Sequence, residues 1–536
     1  MAAKFSEHMK ISITQNGKTT ELEYDAPVSL ADALKNSGVP HGFPCGGKGN
    51  CGKCLVYVSG ALSPLSRREE FLLTKEQVSR GLRLACLTEV RGSVFVTPPE
   101  MEDEQILTSG CMPSFERSPW GLADGDKTVY GVAVDIGTTT VAAYLYDLAS
   151  GVRVAEQSAL NPQRAFGADV ISRMERSIAG EGDALRRMIT ECINMLISKL
   201  CVAVRAEIEA VTSAVITGNT AMLFFLCGEP VQSLAGLPFI PSKYFGEYFS
   251  PAELDISLPA DSRIYLPRCI SAYVGADITT GIIATELLKS THPVLLVDIG
   301  TNGEMVLQTG GKLLACSTAA GPAFEGAGIR MGSGAVPGAV KSVMSWDGKL
   351  VCETIGGARP ESICGSGIVD TIAVLLELGA IEGGGRVSAE RAGELGVLCE
   401  IDGETALRVA GEVILTQGDI RAVQLAKAAI CAGMRTLLHR GGVSRDDLGM
   451  LFIAGGFGSF MDTRSAAAIG LIIPELAPKA RSVGNSAGSG AAMLLQSRAL
   501  LEVSERVAVR TETIDLAADK YFMEKYIDCM SFELGE

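Results

Sequence analysis

Near the N-terminus, apolar and polar side chains alternate in two short runs, which is the pattern of strands with one buried face. The runs cover residues 10–14 and 19–24, and the Asn16-Gly17 pair between them favours a tight hairpin turn. We therefore expect two antiparallel strands at the start of the chain. The same criteria predict a short helix over residues 29–35 and a helical turn over residues 74–81. They also predict two further strands, over residues 55–58 and 94–96.

The pattern changes at Thr128, where an apolar strand runs into a sharp turn and a second strand leaves it. The turn reads Asp135-Ile-Gly-Thr, and the same turn, Asp298-Ile-Gly-Thr, returns in the second half of the chain. This repeat suggests a duplicated half-domain. A glycine-bearing hairpin can point backbone N–H groups at a phosphate while its aspartate approaches an associated Mg²⁺ through water. One such turn is compatible with a plain hairpin, whereas two in register favour a phosphate site.

Three further glycine-rich elements accompany the repeat. Residues 451–458 form a predicted strand that ends in Ala-Gly-Gly-Phe-Gly, where a flat base can lie against backbone that carries no Cβ. Residues 275–281 and 485–495 are predicted to begin helices rich in small residues. Each element alone is typical of an ordinary turn or helix, but the ordered set favours a nucleotide site. Glu325 and Arg330 are candidates for a contact with a terminal phosphate or a partner.

Four cysteines have the spacing of an iron–sulfur site. Cys45, Cys51 and Cys54 stand at C-x₅-C-x₂-C spacing in a glycine-rich loop, and Cys86 follows later. This spacing is close to the pattern that binds a plant-type [2Fe–2S] cluster. The glycines let the loop curl around the sulfurs and free backbone N–H groups to bond them. A structural zinc site is the alternative, although such sites usually combine two C-x₂-C pairs and this chain has one.

Composition excludes several classes of protein. The chain has 536 residues, which predicts several domains, and its net charge of −15 argues against a nucleic-acid partner. Only four histidines occur, so a histidine-based metal site is not expected. The eleven cysteines outside the cluster pattern have no paired spacing, which favours a reducing cytoplasm. No signal peptide or long apolar run is seen, so we expect no membrane association.

Prolines and charges without periodicity mark residues 98–127 as a linker. Its length would let an N-terminal head move, unless Phe115 and Trp120 pin part of it to a neighbour. The internal repeat places a further boundary near residue 293. The predicted parts of the chain are therefore a cluster domain (1–97), a linker (98–127), a middle domain or first lobe (128–293) and a C-terminal lobe (294–536).

Two family resemblances follow from these motifs. Residues 8–97 resemble a ferredoxin domain of the plant or adrenodoxin type, with the β-grasp fold. From Thr128 onwards, the five glycine-bearing elements resemble, in chain order, the phosphate 1, connect 1, phosphate 2, adenosine and connect 2 motifs of the ASKHA ATPases. The resemblance implies a multidomain α/β protein with a two-lobed, actin-, Hsc70- and sugar-kinase-like ATPase of the ribonuclease H-like fold.

The whole chain is similar to the RACE family, the reductive activators of corrinoid-dependent enzymes. That resemblance implies ATP-dependent, one-electron reduction of an inactive Co(II) corrinoid to Co(I), on a partner corrinoid protein or cobalamin-dependent methyltransferase component. A low-potential flavoprotein or ferredoxin would supply electrons, and a homodimer is one possible assembly. Some members carry C-terminal [4Fe–4S] ligands, but this chain has only Cys529 near its C-terminus.

The resemblances imply a role for each motif residue, with a [2Fe–2S] cluster, ATP and Mg²⁺ as cofactors. The expected cluster ligands are Cys45, Cys51, Cys54 and Cys86. The expected catalytic carboxylates are Asp135, Asp298 and Glu304. The expected nucleotide contacts are Gly137, Thr138, Thr139, Gly300, Thr301, Asn302, Gly455, Gly456 and Gly458.

Two rival functions remain open from the sequence. An ATP-dependent activator of a radical-generating dehydratase also couples an ASKHA ATPase to an iron–sulfur centre, but its cluster is a [4Fe–4S] shared across a dimer. A nucleotide-sensing electron carrier without a dedicated corrinoid partner is the second rival.

Overall fold

The computed structural model of this chain describes two compact units. One comprises residues 1–103 with 162–188, and the other comprises 104–161 with 189–536. The segment 162–188, which interrupts the predicted first lobe, therefore packs with the N-terminal unit. The described residues are 9–15, 18–37, 39, 49, 54–73, 75–98, 110, 112–121, 128–285, 287–458 and 460–533.

The first unit is built from short strands and helices. Its described strands are β1 (Met9–Gln15), β2 (Lys18–Tyr24), β3 (Val28–Ser29), β4 (Leu55–Leu62), β5 (Leu82–Leu84) and β6 (Glu89–Thr97). Its described helices are α1 (Leu30–Asn36), α2 (Arg67–Leu72), α3 (Lys75–Ser79) and α4 (Val170–Arg176), and α5 (Gly182–Val204) begins in this unit.

These strands form one sheet in the order β2-β1-β6-β4-β5, with β3 paired to β6. Strands β1 and β2 pair antiparallel, as their alternating sequences predict, while β1 and β6 run parallel. Ile11 and Ile13 are fully buried because they share one face of β1. The turn residues between β1 and β2 lie outside the described residues. The predicted ferredoxin-like mixture of hairpin, helix and later strands is therefore observed.

A buried ion pair organises the segment that carries Cys86. The Arg83 guanidinium donates to both carboxylate oxygens of Glu69, at 2.9 and 3.0 Å. Glu69 also accepts from the Leu84 backbone N–H at 3.3 Å and the Thr88 hydroxyl at 3.2 Å. Burial would raise the pKa of Glu69, but Arg83 and the backbone donors hold it below its ordinary value. These contacts fix both ends of the segment around Cys86.

The second unit contains two larger sheets and two small ones. Its described strands up to residue 266 are β7 (Tyr130–Ile136), β8 (Thr140–Asp147), β9 (Arg153–Leu160), β10 (Val211–Gly218), β11 (Glu247–Phe249) and β12 (Arg263–Leu266). The later strands of the two large sheets are β13 (Val294–Ile299), β14 (Gly303–Thr309), β15 (Lys312–Thr318), β22 (Met450–Ala454), β23 (Ala480–Gly484) and β24 (Thr511–Thr513). The small sheets contain β16 (Ala339–Trp346), β17 (Lys349–Thr354), β18 (Ser362–Ile363), β19 (Leu398–Ile401), β20 (Glu404–Ala410) and β21 (Val413–Thr416).

Eleven further helices are described in the second unit after α5. They are α6 (Thr220–Cys227), α7 (Gln232–Ala235), α8 (Pro251–Leu254), α9 (Ala276–Ala284), α10 (Gly365–Glu377), α11 (Ala389–Glu394), α12 (Gln417–Gly441), α13 (Thr463–Ala468), α14 (Ser486–Gln496), α15 (Arg498–Arg510) and α16 (Lys520–Asp528). No described helix is long and apolar enough to cross a membrane.

The two large sheets share the topology of five strands, as the internal repeat predicts, and their sixth strands, β11 and β24, lie on opposite edges. Their orders are β11-β12-β10-β7-β8-β9 and β23-β22-β13-β14-β15-β24. In each sheet, the strand before the Asp-Ile-Gly-Thr turn pairs antiparallel with the strand after it and parallel with a strand from much later in the chain. Such repeated sheets are the ribonuclease H-like arrangement that the sequence implied. The apolar strands before both turns are buried on both faces, which explains their lack of alternation.

Part of the predicted linker is fixed to the second unit. Trp120 is 5% exposed, and its indole N–H donates to the Leu494 carbonyl at 2.9 Å. The Arg117 guanidinium donates to the carbonyls of Leu148 and Ser150, both at 2.8 Å. Phe115 packs against a core cluster of the same unit. Residues 112–121 are therefore not a free tether, and the rest of the predicted linker is described only at residues 98 and 110.

The small-residue helices α9 and α14 lie in direct contact. A Cβ on Gly490 of α14 would lie 2.0 Å from the backbone oxygen of Thr280 in α9, a distance that no real side chain tolerates. A Cβ on Gly281 would lie 3.0 Å from the Ser486 hydroxyl. The absence of side chains at these positions lets the two helices approach closely.

Replacing Gly490 with alanine should therefore force α9 and α14 apart. We expect a loss of about 1–3 kcal/mol in the free energy of unfolding of the second unit, measured by calorimetry or urea unfolding. Gly393→Ala is the matched control, because nothing lies within 4 Å of the added methyl group in helix α11. That variant should be neutral or more stable by about 0.5–1 kcal/mol. Equal stability of the two variants would contradict the close-contact argument.

Candidate functional site

The first Asp-Ile-Gly-Thr hairpin is a tight turn at the end of β7. The Gly137 N–H donates to the Thr140 carbonyl at 2.8 Å, and a Cβ on Gly137 would lie 2.8 Å from the same oxygen. The Asn161 side-chain amide donates to the Gly137 carbonyl at 2.9 Å. The Asn219 amide lies 3.2 Å from the Thr138 hydroxyl and donates to it. The turn is therefore held from outside by two asparagines.

Asp135 connects this hairpin to helix α14. The Asn485 side-chain amide donates to the Asp135 carboxylate at 2.9 Å and to the Tyr144 hydroxyl at 3.2 Å. The Asn485 side-chain oxygen accepts from the Gly488 N–H at 2.6 Å and so caps the start of the helix. The predicted phosphate 1 and connect 2 motifs are thus joined through one asparagine.

The second hairpin, at the end of β13, packs against the predicted adenosine motif. The Gly300 N–H donates to the Asn302 carbonyl at 3.0 Å, which closes the turn. Gly455 has a φ of +92°, and a Cβ there would lie 2.7 Å from an Asp298 carboxylate oxygen. Glycine is therefore required at position 455 by both its backbone conformation and this close approach.

The three glycines expected on the adenine side differ in their surroundings. A Cβ on Gly458 would collide with Ile453 at 2.6 Å, so Gly458 serves the packing of its own strand. Gly456 has nothing within 4 Å of the position that a side chain would take. Of the three, only Gly456 therefore faces open space.

Glu325 connects the two hairpins. The Thr301 hydroxyl of the second hairpin donates to one of its carboxylate oxygens at 2.8 Å, and the Thr139 hydroxyl of the first hairpin donates to the other. Arg330 does not join them, because its guanidinium pairs with Asp402 and its N–H donates to Asp419 at 2.7 Å. Of the two side chains suggested for a phosphate contact, the structure brings only Glu325 to the hairpins.

Four carboxylates share the region between the hairpins. Burial and repulsion from Asp135 raise the pKa of Asp298 to about 7, and burial raises the pKa of Asp135 to about 6 against the opposing Asn485 hydrogen bond. Burial and repulsion from Asp298 and Asp135 raise the pKa of Asp277 to about 8. Burial and the charges of Asp277 and Asp298 raise the pKa of Glu304 well above its ordinary value. A group of buried carboxyls with strongly shifted pKa values is typical of a functional site.

The four carboxylates do not form a direct metal cage. Within the described part of the chain, no three His, Cys, Asp or Glu side chains converge closely enough to hold a metal ion. The arrangement is suited to a hydrated cation, since Mg²⁺ usually keeps several of its waters and uses few protein ligands.

Sequence reasoning assigned no role to three polar residues of this site, although Asp277 and Asn485 lie in the predicted connect 1 and connect 2 motifs. Asp277 stands in the first turn of α9, Asn485 precedes α14, and Asn219 precedes α6. Each follows an apolar segment at the start of a helix, which was the available signal. Their direction towards the hairpins depends on how the two sheets pack, and no local pattern contains that information.

A second candidate site, in the first unit, contains two of the predicted cluster cysteines. The sulfurs of Cys54 and Cys86 lie 3.2 Å apart, although the residues are far apart in sequence. The Ala85 N–H donates to the Cys54 carbonyl at 2.9 Å, which aligns the two segments. Cys54 is 2% exposed. Two sulfurs brought together from distant segments of the chain are consistent with shared binding of a cluster.

The other two predicted ligands, Cys45 and Cys51, lie outside the described residues. Within their loop, Gly49 is described, with a φ of +70° and a Cβ position 2.6 Å from the Leu87 side chain. The Arg68 guanidinium donates to the Gly49 carbonyl at 2.8 Å. Gly49 thus lies next to the segment that carries Cys86, and glycine is needed at this point of contact.

The raised pKa of Asp277, from its ordinary value of 3.8 to about 8, predicts a pH-dependent stability. The folded protein keeps this proton to about pH 8, whereas the unfolded chain releases it near its ordinary pKa, so stability falls as pH rises between these values. Asp277→Asn cannot ionise and should make the fall in Tm between pH 5 and 8 shallower. The exposed Asp261→Asn is the control. Parallel Tm profiles for wild type and Asp277→Asn would contradict the burial argument.

Three family models match the chain in order. A 2Fe-2S iron-sulfur cluster binding domain matches residues 13–91. The RACo middle region matches residues 130–290. The C-terminal domain of RACo, the ASKHA domain, matches residues 292–534. The expected iron–sulfur domain and ASKHA-type domain are therefore confirmed.

Two relatives match over most of their length. The corrinoid activation enzyme RamQ of Eubacterium limosum is 30% identical over 95% of this chain and 96% of its own. The [Co(II) methylated amine-specific corrinoid protein] reductase of Methanosarcina barkeri is 25% identical over 75% of this chain and 77% of its own. Both names describe enzymes, which agrees with the expectation of an enzyme that combines redox and ASKHA domains.

A solved structure matches nearly the whole chain. The reductive activator for corrinoid, iron-sulfur protein covers 98% of this chain and 98% of its own, with a TM-score of 0.71 and 28% identity. Family models, relatives and this structure agree on the same three parts in the same order. The chain therefore belongs to the RACo family, with an N-terminal 2Fe-2S domain, a RACo middle region and a C-terminal ASKHA domain.

Proposed function

We propose that this protein is an ATP-dependent reductive activator of a corrinoid protein. It would pass one electron to an inactive Co(II) corrinoid on a partner corrinoid protein or cobalamin-dependent methyltransferase component, which becomes Co(I). The observation that carries this proposal is the full-length similarity to a corrinoid activation enzyme, in a chain that holds both a pair of adjacent cysteine sulfurs and a group of buried carboxyls beside two glycine-bearing hairpins.

The residues of the first unit fit a [2Fe–2S] cluster, which would supply the single electron when bound. Cys54 and Cys86 are already adjacent, and Cys45 and Cys51 complete four thiolates in the sequence. The buried Glu69–Arg83 pair holds the segment around Cys86 from both ends. This arrangement favours a rigid set of ligands. Rigid ligands move little when the electron leaves, so the reorganisation energy of the electron transfer stays low.

The residues of the two hairpins in the second unit fit a nucleotide with Mg²⁺. The turns at Gly137 and Gly300 would direct N–H groups at phosphates, together with the hydroxyls of Thr138, Thr139 and Thr301 and the Asn302 amide. The open space beside Gly456, between Gly455 and Gly458, suits the base. Asp135, Asp298 and Glu304 would hold hydrated Mg²⁺, which relieves the repulsion that raises their pKa values.

A nucleotide is useful here because electron transfer to Co(II) is proposed to run uphill. A coupling of about 1–3 kcal/mol between two sites is ordinary. For one electron, 59 mV corresponds to about 1.4 kcal/mol, so this coupling spans a deficit of about 40–130 mV. Nucleotide-driven closure of the second unit is the proposed source of that free energy.

The proposed partners follow from the same chemistry. A low-potential flavoprotein or ferredoxin would reload the cluster, and the corrinoid would belong to the partner. The eleven cysteines outside the cluster pattern have no paired spacing in the sequence, which supports a reducing, cytoplasmic location. We also propose that the protein assembles as a homodimer. Its proposed parts are the cluster domain (1–97), the linker (98–127), the middle domain or first lobe (128–293) and the C-terminal lobe (294–536).

Cys86→Ser should remove the visible absorption of the cluster and the electron transfer with it, because one of four thiolates is lost. The measurement is the absorption and electron paramagnetic resonance spectrum of the reconstituted protein. Cys399→Ser in the second unit is the control and should keep both. A Cys86→Ser protein with a complete spectrum and full electron transfer would contradict the ligand assignment.

Asp298→Ala should lower ATP-dependent corrinoid reduction by about 10- to 100-fold, because it removes an outer-shell carboxylate of the proposed Mg²⁺. The assay mixes the protein with reductant, ATP and a Co(II) corrinoid protein and follows the cobalt absorption. The cluster spectrum should stay unchanged, and the exposed Asp446→Ala serves as the control. If the wild-type protein reduced the corrinoid at the same rate with and without ATP, the result would instead favour a nucleotide-independent electron carrier.

A further inference from the structure

Glu325 lies between the two Asp-Ile-Gly-Thr hairpins. Its two carboxylate oxygens accept from hydroxyls of the two hairpins, Thr139 on one side and Thr301 on the other. These hairpins belong to different sheets, so one side chain connects the two halves of the duplicated fold. The Glu325 carboxylate therefore contacts both hairpins directly.

The backbone around Glu325 is held from three directions. The Gly321 N–H donates to the Thr301 carbonyl at 2.9 Å. The Phe324 side chain is 2% exposed and stacks on Phe457, with ring centres 4.9 Å apart. Gly326 has a φ of +73°, and a Cβ there would lie 2.4 Å from the backbone of Ser333. The position of the carboxylate is therefore built into the fold, unlike that of a surface side chain.

Two hydroxyl groups that donate to one carboxylate from opposite sides are also suited to binding a phosphate. A threonine hydroxyl has one hydrogen to donate. Thr139 and Thr301 therefore cannot donate to Glu325 and to a phosphate at the same time. A negative phosphate placed beside the carboxylate would in addition be repelled by it.

Building on the proposed function, we propose that Glu325 stands in for a nucleotide phosphate in the nucleotide-free protein. It holds the two hairpins together through Thr139 and Thr301, and a phosphate of ATP replaces it on those hydroxyls. Glu325 thereby sets the affinity for phosphate-bearing nucleotides and leaves the affinity for the nucleoside unchanged. Its displacement changes the link between the two halves when nucleotide binds.

The test compares binding of two probes to the full chain with its cluster in place. The probes are AMP-PNP with Mg²⁺, which carries the phosphates, and adenosine, which does not, and the Kd of each is measured by calorimetry. Glu325→Gln removes the competing charge at nearly unchanged size. We expect its Kd for AMP-PNP to fall about tenfold, while its Kd for adenosine stays within twofold of wild type.

The exposed Glu361→Gln is the matched control and should leave both Kd values unchanged. An unchanged or weaker affinity of Glu325→Gln for AMP-PNP would overturn the inference while leaving the nucleotide site in place. An equal gain for adenosine would overturn it too, since the phosphates would then not be involved. Failure of wild type and variant alike to bind AMP-PNP would instead refute the proposed ATP dependence, and the inference with it.

A second measurement uses the stability of the free protein. Glu325→Ala removes the bridge altogether, so its Tm without nucleotide should fall by about 2–4 °C. With saturating AMP-PNP, the variant should melt at or above the wild-type temperature, because the bridge is then absent in both proteins and the variant binds the probe more tightly. A deficit that persists at saturation would show a purely structural role and overturn the inference.

Discussion

The repulsion among the buried carboxylates between the two hairpins is the constraint on which the second unit depends. Asp135 and Asp298 stand at equivalent places in the two sheets, and each raises the pKa of others in the group. Keeping several carboxyl groups together away from water is costly, because each opposes the ionisation of the others, and no folding advantage follows from it. Such a cost is typical of a functional site, and the proposed hydrated Mg²⁺ would relieve it.

Small residues allow the segments that carry these carboxyl groups to lie close together. Gly455 lets one turn approach the Asp298 carboxylate, and Gly490 lets α14 approach α9. Helix α14 begins at Asn485, which donates to Asp135, and α9 carries Asp277 in its first turn. A change of charge at the proposed nucleotide site would therefore act directly on the starts of two helices in close contact. This is a physical route by which the proposed nucleotide would alter the shape of the second unit.

The first unit solves a different problem, which is to hold thiols from distant segments at one point. The Cys86 segment is fixed by the buried Glu69–Arg83 pair, and the Ala85 N–H ties it to the carbonyl of Cys54. Removing one partner of a buried pair leaves an uncompensated charge, so the pair also commits this region to one conformation. Trp120 packs onto the second unit, so this part of the predicted linker is not a free tether.

Local sequence determined much of this protein. The alternation before Asn16, the repeated Asp-Ile-Gly-Thr turns and the cysteine spacing predicted the hairpin, the duplicated sheet and the type of cluster domain, because each depends on neighbouring residues. Sequence also marked Trp120 as a residue able to pin the linker. Only the tertiary structure decided that Glu325 bridges the hairpins, that Arg330 pairs elsewhere with Asp402, and that Asp277 joins the carboxylates. These outcomes depend on how two sheets and their helices pack, and side-chain direction across a packed interface leaves no periodic signal in the chain.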